Sequence, residues 1–140
     1  NIFSIGWIGS PSTTKYLFEI VDILNNFPEK NKFRLITIGA SQITNAKFEL
    51  IQLPWKLEDE VSNINLFDVG IMPLVDNSWE KGKCGFKLIQ YMACSIPVIA
   101  SPVGINREIV TNDVGFLAKN KEEWLYAIKK LMDDKNCNTY

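Results

Sequence analysis

The stretch that decides the fold is Asp68-Val-Gly-Ile-Met-Pro-Leu-Val-Asp76-Asn-Ser-Trp-Glu80-Lys-Gly82-Lys83-Cys84-Gly85-Phe86-Lys87-Leu-Ile-Gln90-Tyr-Met-Ala-Cys94-Ser-Ile-Pro97-Val-Ile-Ala-Ser101. The apolar run 68–74 reads as a strand, and the polar residues 76–85, with their glycines, as a loop. Residues 83–94 follow helical spacing, with Phe86, Ile89, Met92 and Ala93 on the apolar side, and 97–101 form a second apolar run. Strand, loop, helix, strand is the unit of a parallel sheet with a right-handed crossover. The loop then hangs over the start of the helix.

Working outward, the same alternation continues in both directions. On the N-terminal side, residues 3–8 read as a buried strand ended by Gly9, with Ser12 or Thr13 capping a helix built on Leu17, Ile20, Val21 and Leu24. Residues 33–39 and 48–53 are two further strands, and 58–66 a short helix with Val61 and Ile64 on one face. On the C-terminal side, 106–111 is a short helical piece and 114–117 a small strand. The last helix spans 122–132 and turns Leu125, Ile128, Leu131 and Met132 inward. The expectation is an α/β, doubly wound, Rossmann-like parallel sheet of about six strands with helices on both faces. Its crevice lies at the carboxyl ends of the strands, flanked by the loops 9–14 and 76–85.

Composition narrows the function classes. The 140 residues fit one domain, and a net charge of −1 argues against bulk binding of nucleic acid. No apolar run approaches about 18 residues, so no membrane span is expected. No basic region precedes the opening apolar run, so a secretory leader is not expected either. The three cysteines, Cys84, Cys94 and Cys137, have neither disulfide-framework nor metal spacing and suit a reducing compartment such as the cytoplasm. There is no histidine, which removes His-based triads, His metal sites and His general bases from this chain.

The residues that could carry chemistry gather at the predicted crevice. Gly82-Lys83-Cys84-Gly85 precedes the central helix, where free N–H groups and the helix dipole favour a phosphate or pyrophosphate. Lys83 and Lys87 add positive charge; the same residues also suit a tight turn beside a solvated basic face. Lys15 lies one turn into the first helix and would face the crevice from the other side, or simply be solvated. The loop Gly9-Ser10-Pro-Ser-Thr-Thr-Lys15 is neither a P-loop nor a dinucleotide fingerprint. Asp76, Glu80 and Gln90 are polar groups near the helix start, suited to sugar hydroxyls or to turn and helix-terminus roles. Trp79 is a lid or a packed anchor.

Taken together, Ile5-Gly-Trp-Ile-Gly9 with Lys15, Asp68-Val-Gly-Ile-Met-Pro73, Gly85-Phe-Lys-Leu-Ile-Gln-Tyr-Met-Ala93, Ile96-Pro-Val-Ile-Ala-Ser-Pro-Val-Gly104 and Gly115-Phe-Leu resemble a known family. It is the group 1 glycosyltransferases (glycosyltransferase family 4), and the resemblance is to their C-terminal, donor-binding domain in the two-Rossmann-domain GT-B fold. The resemblance implies that residues 1–140 bind a nucleotide-sugar donor, UDP being the commonest type, while an N-terminal acceptor domain lies outside them. The donor phosphates would be held by Lys15. The family's partner arginine is replaced by Ser10, with Lys83 and Lys87 compensating. Two family glutamates fall on Gly82 and Gln90, so neither is present; Glu80 is expected to take the sugar-binding role and Gln90 to bond a ribose hydroxyl.

The expected catalytic groups are thus Glu80 and Lys15, and the expected binding residues Gly9, Ser10, Lys15, Glu80, Lys83, Cys84, Gly85, Phe86, Lys87 and Gln90. No cofactor and no metal is expected, since the nucleotide-sugar is itself the substrate. The resemblance further implies a retaining, hexosyltransferase-type enzyme that transfers to a glycan or lipid-linked acceptor. Its setting would be bacterial surface polysaccharide assembly, O-antigen or capsule. Contact with the inner face of the membrane would be peripheral and made by the rest of the protein. The isolated domain is expected to be inactive. A non-catalytic nucleotide-binding or regulatory module and a sugar-nucleotide epimerase share the alternating pattern. A receiver-like domain shares it too but needs an acidic pair where Gly9 and Ser10 stand.

Overall fold

The computed structural model describes residues 2–74 and 86–137. Its strands are β1 (Phe3–Ile8), β2 (Phe33–Ile38), β3 (Glu49–Leu53), β4 (Val69–Met72), β5 (Val98–Ala100) and β6 (Gly115–Leu117). All pair in parallel, in the order β3-β2-β1-β4-β5-β6. This is the doubly wound arrangement, with its topological switch between β1 and β4. The helices are α1 (Phe18–Asn25), entered through a 3₁₀ segment Pro11–Leu17, α2 (Glu60–Ile64), entered through 3₁₀ Leu57–Asp59, α3 (Phe86–Ala93), α4 (Asn106–Ile109) and α5 (Lys121–Cys137).

The strands are apolar on both faces because helices cover both. In β1 the odd residues Phe3, Ile5 and Trp7 pack with α1 and α5, against Leu17, Ile20, Leu24, Trp124 and Ile128. Ile8, Ile36, Met72 and Val98 face the other way, onto Ile64, Phe67, Leu88 and Tyr91 from α2, α3 and their flanks. Strand alternation sorts one continuous apolar run into two cores.

At the centre of the second face the sheet carries no side chains. Gly6 and Gly70 are register partners across β1 and β4. A Cβ on Gly6 would fall within the Phe67 ring, and one on Gly70 within the Tyr91 ring. Two bare positions side by side let both aromatic rings lie on the backbone, 6.0 Å apart and edge to face. The Tyr91 hydroxyl, fully buried, then accepts from Ile8 N–H at 3.1 Å and donates to the Ile71 carbonyl at 3.0 Å. The β1–β4 pairing covers only Ile5–Val69 and Gly6–Gly70, so the phenol satisfies backbone groups that the diverging strands leave open. At the opposite end Asp68 joins the same strands: its N–H donates to Ser4 O and its carboxylate accepts from Ser4 N, both at 2.7 Å.

Several helix expectations need correction. The first helix is capped by Ser10, not Ser12 or Thr13: Ser10 is extended, Pro11 holds the first helical position, and Ser10 N–H donates to Thr13 Oγ1 at 3.1 Å. On α3, Phe86 and Ile89 are 61% and 51% exposed and Ala93 is exposed, while Leu88 and Tyr91 are buried. Ranking by hydropathy picked the wrong side, because Tyr91 counts as polar until its hydroxyl has backbone partners. Val61 is 62% exposed while Ile64 is buried. On α5, Trp124 and Ala127 complete the buried stripe, and Leu125 and Leu131 are only half-buried.

Helix α3 ends with Ser95 in the left-handed conformation (φ 60°). Ser95 N–H bonds to Met92 O and Ile96 N–H to Tyr91 O, the pattern of a Schellman cap. Ser95→Gly is expected to raise stability by about 1 kcal/mol, read as a higher urea midpoint, because a Cβ is strained there. Tyr91→Phe keeps the ring but orphans two buried backbone groups, so a loss of about 1–3 kcal/mol is expected. An unchanged midpoint would show those groups satisfied elsewhere. Burial also pushes the Tyr91 phenol well above its ordinary value. Its contribution is complete below about pH 10 and falls away as the unfolded phenol ionises above that, so Tyr91→Phe should show a shallower alkaline loss of stability.

Candidate functional site

The carboxyl ends of β1 and β4 diverge at the switch point, and a cleft of about 670 Å³ opens there. Its near wall is the turn after β1, Gly9-Ser10-Pro11, with Thr13 and Tyr16 behind it. This turn is internally tied: Thr13 and Thr14 hydroxyls both donate to Ser10 O, and Thr14 Oγ1 accepts from Ser41 N–H at 2.9 Å. A side chain on Gly9 would collide with the Trp7 indole, so at this position the cleft surface is bare backbone. The far wall comes from Met72 to Leu74 and from α3, through Phe86, Lys87 and Gln90. Trp55, just after β3, and Glu60, the first residue of α2, complete the lining.

Charge is arranged within this cleft. The Lys87 ammonium lies 4.5 Å from the centre of the Trp7 ring, a cation–π contact at the cleft wall. Glu60 is the one carboxylate lining the cleft among the described residues. Its Oε2 accepts from Trp55 Nε1 at 2.7 Å and its Oε1 from Gln90 Nε2 at 2.8 Å. A fixed cation therefore stands on the same helix as the partner of a fixed carboxylate. The first suits a phosphate, the second suits hydroxyl donors, and the aromatic walls suit a flat apolar group.

The residues expected from the sequence divide three ways. Gly9, Ser10, Phe86, Lys87 and Gln90 all line the cleft. Lys15 does not: it is exposed, with its ammonium 5.4 Å from the centre of the Tyr16 ring, and only Tyr16 reaches the lining. The 3₁₀ winding of Pro11–Leu17 turns position 15 outward while Thr14 and Leu17 face in. Glu80, Lys83, Cys84 and Gly85, with Asp76, Trp79 and Gly82, lie outside the described residues.

Sequence reading missed Trp55 and Glu60. The available signal was position: both lie in the connection that leaves the carboxyl end of β3 and enters α2, the side on which such sheets bind ligands. The run Glu58-Asp59-Glu60 hid which of three acids mattered.

Solved structures with the same fold include Anabaena HepE in complex with UDP-glucose, at 18% identity and TM-score 0.75, covering 97% of this chain and 40% of that one. The catalytic domain of cholesterol-α-glucosyltransferase from Helicobacter pylori matches at 11% identity and TM-score 0.76, covering 97% and 89%. Sucrose-phosphate synthase from Thermosynechococcus elongatus matches at 16% identity and TM-score 0.74, covering 97% and 37%. The chain thus spans about 40% of the length of the HepE structure. No curated protein matches it in sequence. The sequence model of the family described as "Glycosyl transferases group 1" matches residues 2–134, nearly the whole chain. With its all-parallel six-stranded sheet and its cleft at the switch point, this chain belongs to the group 1 glycosyltransferases.

Proposed function

We propose that this chain is the donor-binding domain of a glycosyltransferase, and that the switch-point cleft holds the nucleoside diphosphate part of a nucleotide-sugar. The observation that carries the reading is Lys87. Its ammonium is fixed over Trp7, on the wall of the same cleft that Gly9 and Ser10 line. Among the described residues, a diphosphate in the cleft would meet the Lys87 ammonium and, at Gly9, bare backbone. Supporting it, HepE of the same fold has been captured with UDP-glucose and with UDP and glucose, so UDP is the donor nucleotide we favour.

In the reaction, the bond between the sugar's anomeric carbon and the terminal phosphate oxygen breaks while the acceptor's hydroxyl oxygen bonds to that carbon, and the hydroxyl's proton is given up to the departing diphosphate or to water. The leaving diphosphate gains negative charge as the sugar gains oxocarbenium character. Lys87 stabilises that charge at a position fixed before reaction begins, which is worth most where water is excluded. Lys15, outside the lining, contributes only longer-range attraction that salt screens. Transfer with retention, a hexosyl donor, Glu80 as the sugar-binding carboxylate, and a glycan or lipid-linked acceptor in bacterial surface polysaccharide assembly belong to the same proposal. They rest on the family resemblance, as does an acceptor-binding domain outside these residues.

Titration calorimetry with UDP and with uridine tests the proposal. Lys87→Met should weaken UDP binding about tenfold or more and leave uridine within about twofold, as expected for a lost charge-assisted contact to phosphate. Lys15→Ala should cost UDP about twofold at low salt and nothing at high salt. UDP affinity unmoved by Lys87→Met, with the fold intact by circular dichroism, would refute the diphosphate assignment.

A further inference from the structure

We infer that Glu60 reads the ribose of the nucleotide, with Trp55 as the wall against which the base lies; this rests on the diphosphate reading above. Glu60 is the lone carboxylate of the cleft lining among the described residues. Each of its oxygens already accepts one hydrogen bond, from Trp55 Nε1 at 2.7 Å and from Gln90 Nε2 at 2.8 Å. An ionised carboxylate has about four acceptor positions, so one remains on each oxygen. The two donors fix the plane of the group and thereby aim those positions. A vicinal diol offers two O–H donors at nearly the spacing of two carboxylate oxygens, and charge-assisted bonds of this kind are the strong ones.

The neighbour makes the assignment specific to a nucleoside. Trp55 is 50% exposed on the cleft and is tethered through its ring nitrogen to the same carboxylate. An indole held at its polar edge keeps its apolar face for a flat partner, and stacking of a base on such a face tolerates any base. One group that joins a flat ring to a cis-diol and a diphosphate is a ribonucleoside diphosphate. Lys87 and Gln90 stand three residues apart on α3, one turn of a helix, so the phosphate cation and the carboxylate's second anchor share one helix face.

The experiment compares UDP with 2′-deoxyUDP on the 140-residue chain by titration calorimetry. Wild type should prefer UDP by about tenfold. Glu60→Gln should lower UDP affinity by about that factor and leave 2′-deoxyUDP within about twofold, so the preference collapses. Trp55→Phe keeps an aromatic face and should weaken both nucleotides by one common factor, preserving the preference. If Glu60→Gln weakens both equally, or leaves the preference intact, Glu60 is only a prop for Trp55 and the inference falls while the diphosphate reading stands. If folded wild type binds UDP, ADP and GDP no better than it binds uridine, the diphosphate reading fails and this inference with it. Should GDP or ADP bind in place of UDP, the same comparison is read with its 2′-deoxy form.

Discussion

The Tyr91 hydroxyl is the contact on which the rest of the molecule depends. A doubly wound sheet must part somewhere, because β1 leads on to β2 and β3 in one direction and β4 to β5 and β6 in the other. At that parting the strand ends lose their ladder bonds, and buried backbone groups without partners are costly. Here one phenol supplies both missing bonds, to Ile8 N–H and Ile71 O. It can reach them only because Gly6 and Gly70, paired across the two strands, leave room for the Phe67 and Tyr91 rings. The cleft above is therefore open at its mouth, while these two backbone groups beneath it are satisfied.

The same helix that supplies the plug supplies the site. Leu88 and Tyr91 of α3 are buried in the sheet, whereas Lys87 and Gln90 project to the cleft. Anchoring the inner face fixes the outer one, so the ammonium over Trp7 and the amide on Glu60 inherit their placement from core packing. The Lys87 ammonium lies over Trp7, and the Glu60 carboxylate is held by Trp55 and Gln90. A cleft lined by both groups suits a ligand that carries an anionic group and hydroxyl donors.

Much of this was legible from one sequence. Apolar runs at 3–8, 33–39, 68–74 and 97–101, with helical spacing between them, imply a parallel sheet covered on both faces, because the intervening helices must pack on the strands they connect. The same order implies a crevice at the strand ends and loops beside it, and five of the expected binding residues, Gly9, Ser10, Phe86, Lys87 and Gln90, line it. Lys15 lies outside the lining because Pro11 and three hydroxyl residues wind a 3₁₀ turn there, which the sequence pattern does not distinguish from an α-helical one. The apolar side of α3 was misassigned because hydropathy cannot know that a tyrosine hydroxyl will find partners inside.

What the sequence by itself determined is the alternation of elements, the side of the sheet on which a ligand must sit, and the family. These follow from periodicity and motif, which are local. What only the tertiary structure decided is which groups meet. Trp55, Glu60 and Gln90 come from two separate stretches of chain, as do Trp7 and Lys87, and Tyr91 reaches both β1 and β4. Apart from the local Trp55–Glu60 bond, the hydrogen bonds among them join residues 20 to 83 positions apart, and no local pattern encodes those, because they depend on how two helices settle into a sheet whose centre is bare.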